Sequence, residues 1–90
     1  MIEVLFENSF KKIFKKKIKK NPDTVISFLN SFQKFLKDPF DKSLKTHKLS
    51  GRLNQLWAFS LEEDLRVIFF FVENHNKAVF IDIGSHDEVY

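Results

Sequence analysis

Three short stretches of the chain hold side chains that could move protons or grip an anion. "THKLSG" carries His47, "EEDLRVIFFFV" carries Asp64 and Arg66, and "IDIGSHDEVY" carries His86 and the terminal Tyr90. An imidazole titrates near neutrality and suits proton transfer. A guanidinium offers a rigid fork of donors that matches a phosphate. Arg66 opens the most apolar run of the protein, and strand alternation puts it on one face with Ile68, Phe70 and Val72. Two readings fit it: an arginine that snorkels or pairs with Asp64 or Asp82, or a fixed guanidinium aimed at a phosphate. His86 follows a glycine turn and reads either as a surface residue or as a proton carrier. Tyr90 either packs the end of the chain down or presents a flat ring to a nucleobase. His75, in "ENHNK", is read as surface.

Other chemistries lack their residues. The histidines at 47, 75 and 86 fit no compact ligand spacing, and consecutive His86, Asp87 and Glu88 cannot all face one ion, so no metal and no other cofactor is expected. Two glycines cannot make a glycine-rich phosphate loop, and no serine sits in a nucleophile elbow.

The elements that must position these groups follow from periodicity. "IEVLF" (2–6) is a strand candidate. Asn8 or Ser9 is expected to cap a helix on which Phe10, Ile13, Phe14 and Ile18 form one stripe and the lysines another. Asn21, Pro22 and Asp23 start a second helix that Pro39 ends, with Val25, Leu29, Phe32 and Leu36 as its core stripe, widened by Ile26, Phe28 and Phe35. The short link between the helices predicts an antiparallel hairpin. Residues 39–54 are a polar connection. "QLWAFSL" (55–61), "LRVIFFFV" (65–72) and "AVFIDI" (78–83) then form an antiparallel meander, with Trp57 packed in the core beside Phe59 and Leu61. The expected fold is α+β, with helices on one face of the sheet, in a single domain spanning 1–90.

With ninety residues and no cysteine, the core must come from side chains alone, and twelve phenylalanines supply it. There is no apolar run of about 18 residues and no signal-peptide pattern at the start, so a soluble, cytoplasmic protein without a membrane partner is expected. The net charge of +3 hides an asymmetry. Residues 1–52 hold thirteen of the fifteen Lys and Arg, and residues 53–90 hold seven of the twelve acids. A basic half suits a polyanion or an acidic protein partner; it also suits a solvated helix face on a greasy small protein.

"THKLSG", a tryptophan-bearing strand, "EEDLRVIF" and "IDIGSHDEVY", in that order, resemble the RelE/ParE superfamily of bacterial type II toxins, and most of all its YafQ- and YoeB-like messenger-RNA endoribonucleases. The resemblance spans the chain and agrees with the β-α-α-β-β-β order. It implies metal-independent cleavage of messenger RNA at the ribosome, restrained by a cognate antitoxin in a protein complex. By position it implies catalytic roles for His47, Asp64, Arg66, His86 and Tyr90. Lys45, Lys48 and Arg52 of the connection, with Lys16 and Lys20 of the first helix, would meet RNA. The chain departs from the YafQ pattern at Ser60 and Ile83, where a histidine and an arginine stand, and Ser43, beside Asp41, lies where YoeB-type toxins have a glutamate. The chemistry would be attack of the RNA 2′-OH on the adjacent phosphate: Asp64 or His47 takes the proton, Arg66 clamps the phosphate, and His86 protonates the leaving oxygen. A ParE-like toxin that inhibits DNA gyrase by binding alone, or an RNA-binding module without activity, would share the fold.

Overall fold

The computed structural model describes residues 1–53 and 55–89, with the backbone only at Arg52. Strand β1 (Glu3–Phe6) leads into α1 (Asn8–Ile13), which widens into a π-helical segment at Phe14–Ile18. Helix α2 (Pro22–Lys37) follows, then a connection holding a 3₁₀ turn at Lys42–Leu44, the two-residue strand β2 (His47–Lys48) and a second 3₁₀ turn at Gly51–Leu53. Strands β3 (Trp57–Glu62), β4 (Leu65–Val72) and β5 (Lys77–Gly84) come next, and a four-residue helix, α3 (His86–Val89), closes the described chain.

The expected meander is the centre of a five-stranded sheet in the order β1-β5-β4-β3-β2. β1 pairs parallel to β5, with Leu5 opposite Val79, and β2 pairs antiparallel to the outer side of β3. The α+β class stands. Central β4 is the long apolar strand, as its two-faced hydrophobicity requires.

The first helix has a different cap from the one expected. Glu7 occupies the N-cap position without a side-chain bond, and Asn8 is already helical. The Ser9 hydroxyl instead donates to the Ile81 carbonyl of β5 at 2.8 Å, tying α1 to the sheet. At α2 the expected signals operate: the Asn21 side chain accepts from the Thr24 amide, Pro22 takes the first turn, and the helix stops at Lys37 before Pro39. The two helices pack through Phe10 and Phe14, both of which meet Phe28.

Phe35 is fully buried and packs its ring against Phe59, Phe69 and Phe80, one from each strand of the meander. This is the helix-covered face of the sheet, completed by Val67, Ala78 and Ile83, with Trp57 and Leu61 packed against its edge. Leu29 and Ile26, expected in the α2 stripe, are exposed. At about 100° per residue they lie roughly 100° and 160° around the helix from Phe28, outside the sector that meets the sheet. Among the described residues, no helix is long and apolar enough to cross a membrane.

Candidate functional site

The face of the sheet opposite the helices carries the candidate site. Cross-strand partners in an antiparallel pair point to the same side. Ser60 is opposite Arg66 and Arg66 is opposite Gly84, forming one row across β3, β4 and β5. His47 is opposite Ala58, itself opposite Ile68, forming the next row on that face. His47 and Arg66 therefore stand two strands and two residues apart, an α-carbon separation of about 12 Å.

At the β5 end, Asp64 joins two of the other expected residues. Its Oδ1 lies 3.4 Å from Arg66 Nη1, and the same oxygen accepts from the backbone amide of His86 at 3.4 Å. Arg66 thus pairs with Asp64 rather than Asp82, whose carboxylate accepts from the Ile83 amide at 2.8 Å. The Asp64 carboxylate thus links the arginine to the start of the helix that carries the histidine. The His86 imidazole has Nδ1 3.7 Å from Asp87 Oδ1.

Helix α3 was not visible in the sequence pattern, yet a local signal was present. Ser85 caps it and Glu88 stands three residues later, the capping-box spacing. The Glu88 amide reaches Ser85 Oγ at 3.3 Å, and the Ser85 amide donates to Glu88 Oε1 at 2.8 Å. The other carboxylate oxygen of Glu88 accepts from Lys17 Nζ of the π-helical segment at 2.6 Å. The Lys17 bond, then the Ser85 amide and hydroxyl, hold the Glu88 carboxyl down to about 2.

Arg66 lines a cavity of about 290 Å3 with Ser43, Lys45, Ser60 and Glu62. Lys45 comes to its rim through a left-handed backbone turn (φ 53°) that ends the 3₁₀ turn. A neighbouring hollow of about 310 Å3 is lined by His47, Lys48, Leu49, Ser50 and Leu53. His47 Nδ1 lies 3.0 Å from the Lys45 carbonyl oxygen. A carbonyl can only accept, so in the neutral ring Nδ1 carries the proton and Nε2 the lone pair. Asp41, near the position of the missing glutamate, is engaged elsewhere: its Oδ1 accepts from the Ser43 hydroxyl at 2.7 Å and amide at 2.9 Å. The Ser43 bonds hold that carboxyl below its usual range. Asp41 is the cap of the 3₁₀ turn.

The remaining expected residues divide. Lys16 and Lys20 are exposed at the end of the first helix, and Lys48 is exposed on β2. The Arg52 side chain and Tyr90 lie outside the described residues. His75 sits at the opposite end of the sheet, its ring stacked on Phe71 at 4.2 Å. Five residues of strand separate Phe71 from Arg66, about 17 Å. A third hollow, about 250 Å3 and lined by Phe6, Phe10, Lys11, Phe14 and Phe28, lies among the helices and has no part in this cluster. Among the described residues, no three His, Cys, Asp or Glu side chains gather where one metal ion could be held.

No family model matches the chain, and no curated protein matches it in sequence. Solved structures do match in fold. The YoeB/ParE toxin from Agrobacterium tumefaciens superposes with a TM-score of 0.79 at 13% identity over 94% of this chain and 99% of that one. YafQ from E. coli strain BL21(DE3) gives 0.73 at 16% identity over 100% and 99%, and the E. coli DinJ–YafQ complex gives 0.71 at 16% over the same shares.

Proposed function

On the RelE/ParE-like toxin fold shared with these structures, we propose that this protein is the toxin of a toxin–antitoxin pair and acts as a ribosome-dependent, metal-independent messenger-RNA endoribonuclease. The observation that carries the reading is the convergence of Arg66, Asp64 and the start of α3 at one end of the open sheet face, with His47 on the same face.

Cleavage needs no outside nucleophile, because the 2′-OH of RNA can attack the phosphate that follows it. His47, with its lone pair on Nε2, takes the 2′-OH proton. As the phosphorus becomes five-coordinate, negative charge grows on its non-bridging oxygens, and Arg66 and Lys45 neutralise it, a contribution of about 3–4 kcal/mol for a well-placed donor. The P–O5′ bond breaks, and protonated His86 delivers a proton to the departing 5′-oxygen. Products are a 2′,3′-cyclic phosphate and a 5′-hydroxyl. Asp64 does not exchange protons with the substrate; it orients Arg66 and the His86 backbone. Tyr90 stacks on a base beside the scissile bond. Lys16, Lys20, Lys48 and Arg52 provide the salt-sensitive attraction to messenger and ribosomal RNA.

The partner is an antitoxin, a reading supported by the E. coli YafQ structure that holds a second protein, DinJ, in a complex. The basic first half of the chain suits an acidic, amphipathic antitoxin segment laid on it. Induced expression is expected to arrest growth and to cut messenger RNA within translated codons, read by primer extension. Intact transcripts together with inhibited DNA gyrase would replace this reading with that of a ParE-like binding toxin.

A further inference from the structure

Helix α3 has four residues, too few to be stable alone, yet it carries His86. One of its attachments to the domain comes from the far end of the sequence. Lys17, seventy-one positions before Glu88, leaves the π-helical segment and bonds its carboxylate at 2.6 Å. π-helical turns recur at functional sites, where the extra residue redirects side chains. Gly84 supplies the fit from below. A β-carbon there would stand 3.0 Å from Glu88 Oε1 and 3.1 Å from both Glu88 Cβ and Val89 Cγ1, so α3 lies directly on the end of β5. Gly84 is also the cross-strand partner of Arg66.

We propose that Lys17 and Glu88 form a latch that seats α3 on the sheet and thereby sets the position of His86 relative to Arg66; both are positioning residues of the site. For its effect on catalysis the inference rests on the nuclease reading above. One carboxylate does two jobs: Oε1 closes the helix cap on Ser85, and Oε2 anchors the helix to the π-helical segment through Lys17. Without the anchor, α3 keeps its local cap, its packing on Gly84 and the Asp64 bond to its first amide at 3.4 Å, a long contact on an exposed carboxylate. That contact is made by the backbone of His86.

The experiment combines Glu88→Gln, Lys17→Met and Lys17→Arg. Backbone {1H}-15N NOE and amide exchange of residues 85–89 report order independently of activity. In Glu88→Gln and Lys17→Met, α3 is expected to become mobile on the picosecond-to-nanosecond scale while β4 and β5 stay protected. The kcat for cleavage of ribosome-bound messenger is expected to fall about 2- to 5-fold, the most that an exposed ion pair can shift the seated population, with little change in KM. Lys17→Arg, which keeps the charge, should restore both readouts.

Glu88→Gln separates a latch from simple charge attraction. It makes the protein more cationic, so an electrostatic role in RNA binding would tighten binding, whereas a latch predicts lost turnover. An α3 as ordered in Glu88→Gln and Lys17→Met as in the wild type overturns the inference; so does a mobile α3 with unchanged kcat. A wild-type protein that cleaves no RNA would remove the nuclease reading, and the order of α3 would then decide the latch by itself.

Discussion

Replacing Arg66 by lysine separates what the guanidinium does for the fold from what it does for the reaction. The stem and the charge survive, and only the planar fork is lost. The Arg66–Asp64 contact is 3.4 Å long, with the arginine side chain 22% exposed and the aspartate 72% exposed. A pair of that kind contributes no more than about 1 kcal/mol, so the melting temperature should fall by no more than about 4–8 °C for a domain of this size. The cost to the reaction is larger. A fork can hold Asp64 with one nitrogen and a phosphate oxygen with another, whereas an ammonium offers a single point of charge. Losing that geometry is worth about 10- to 100-fold in kcat, or about 1.4–2.7 kcal/mol, and Arg66→Ala about 10²- to 10³-fold. Single-turnover cleavage of a ribosome-bound messenger, with thermal unfolding followed by circular dichroism on the same samples, gives both numbers. If Arg66→Ala cleaves like the wild type, Arg66 has no place in the reaction. A loss of activity that only tracks unfolding would make it a structural residue.

Gly84→Ala should leave the core intact but lift α3 by a few tenths of an ångström, because the new methyl group meets Glu88 and Val89 at 3.0–3.1 Å; faster amide exchange confined to residues 85–89 would show it. Phe35→Ala removes a fully buried ring that touches Phe59, Phe69 and Phe80, and calorimetry should record a loss of about 3–5 kcal/mol. Acid should release α3 before the sheet. The Glu88 carboxyl is held at about 2, below its ordinary 4.5, so its contribution is complete above about pH 5 and is lost as the pH falls from 4.5 through 2; the Glu88 and His86 amide resonances should follow that course. Lys45→Ala should reduce the salt slope of RNA binding, log K against log salt, by about 0.7, measured by fluorescence anisotropy on a single-stranded RNA.

Local signals in the sequence were accurate where the structure depends on local contacts. Asn21, Pro22 and Asp23 start α2 because a side-chain cap and a proline in the first turn act within four residues. The faces of β4 were readable because strand alternation has period two, and Arg66 stands on the face it predicts. Distant pairing was not readable: nothing in "IEVLF" specifies a parallel partner in β5, and a two-residue β2 has no periodicity. The π-helical turn escaped because Phe14 and Ile18, four apart, fit either kind of helix. The α2 stripe was drawn too wide at Leu29 and Ile26, since hydrophobicity marks helix faces but not how much of each a sheet can cover. In the site, Asp64 and Arg66 are two residues apart and were readable as a pair. Their approach to His86 needs the β4–β5 register, and Lys17 needs the whole fold. The Ser85–Glu88 spacing was a local signal for α3 that the reading of the sequence did not use.

The most direct test is a translated messenger carrying a single 2′-deoxy nucleotide on the 5′ side of the cleaved bond, presented to the purified protein on ribosomes in parallel with the all-ribose strand. In-line attack by the 2′-OH predicts that the ribose strand yields a 2′,3′-cyclic phosphate and a 5′-hydroxyl while the deoxy strand stays whole. Cleavage of the deoxy strand at an equal rate, or a fragment bearing a 5′-phosphate, would contradict the chemistry assigned to His47, Arg66 and His86.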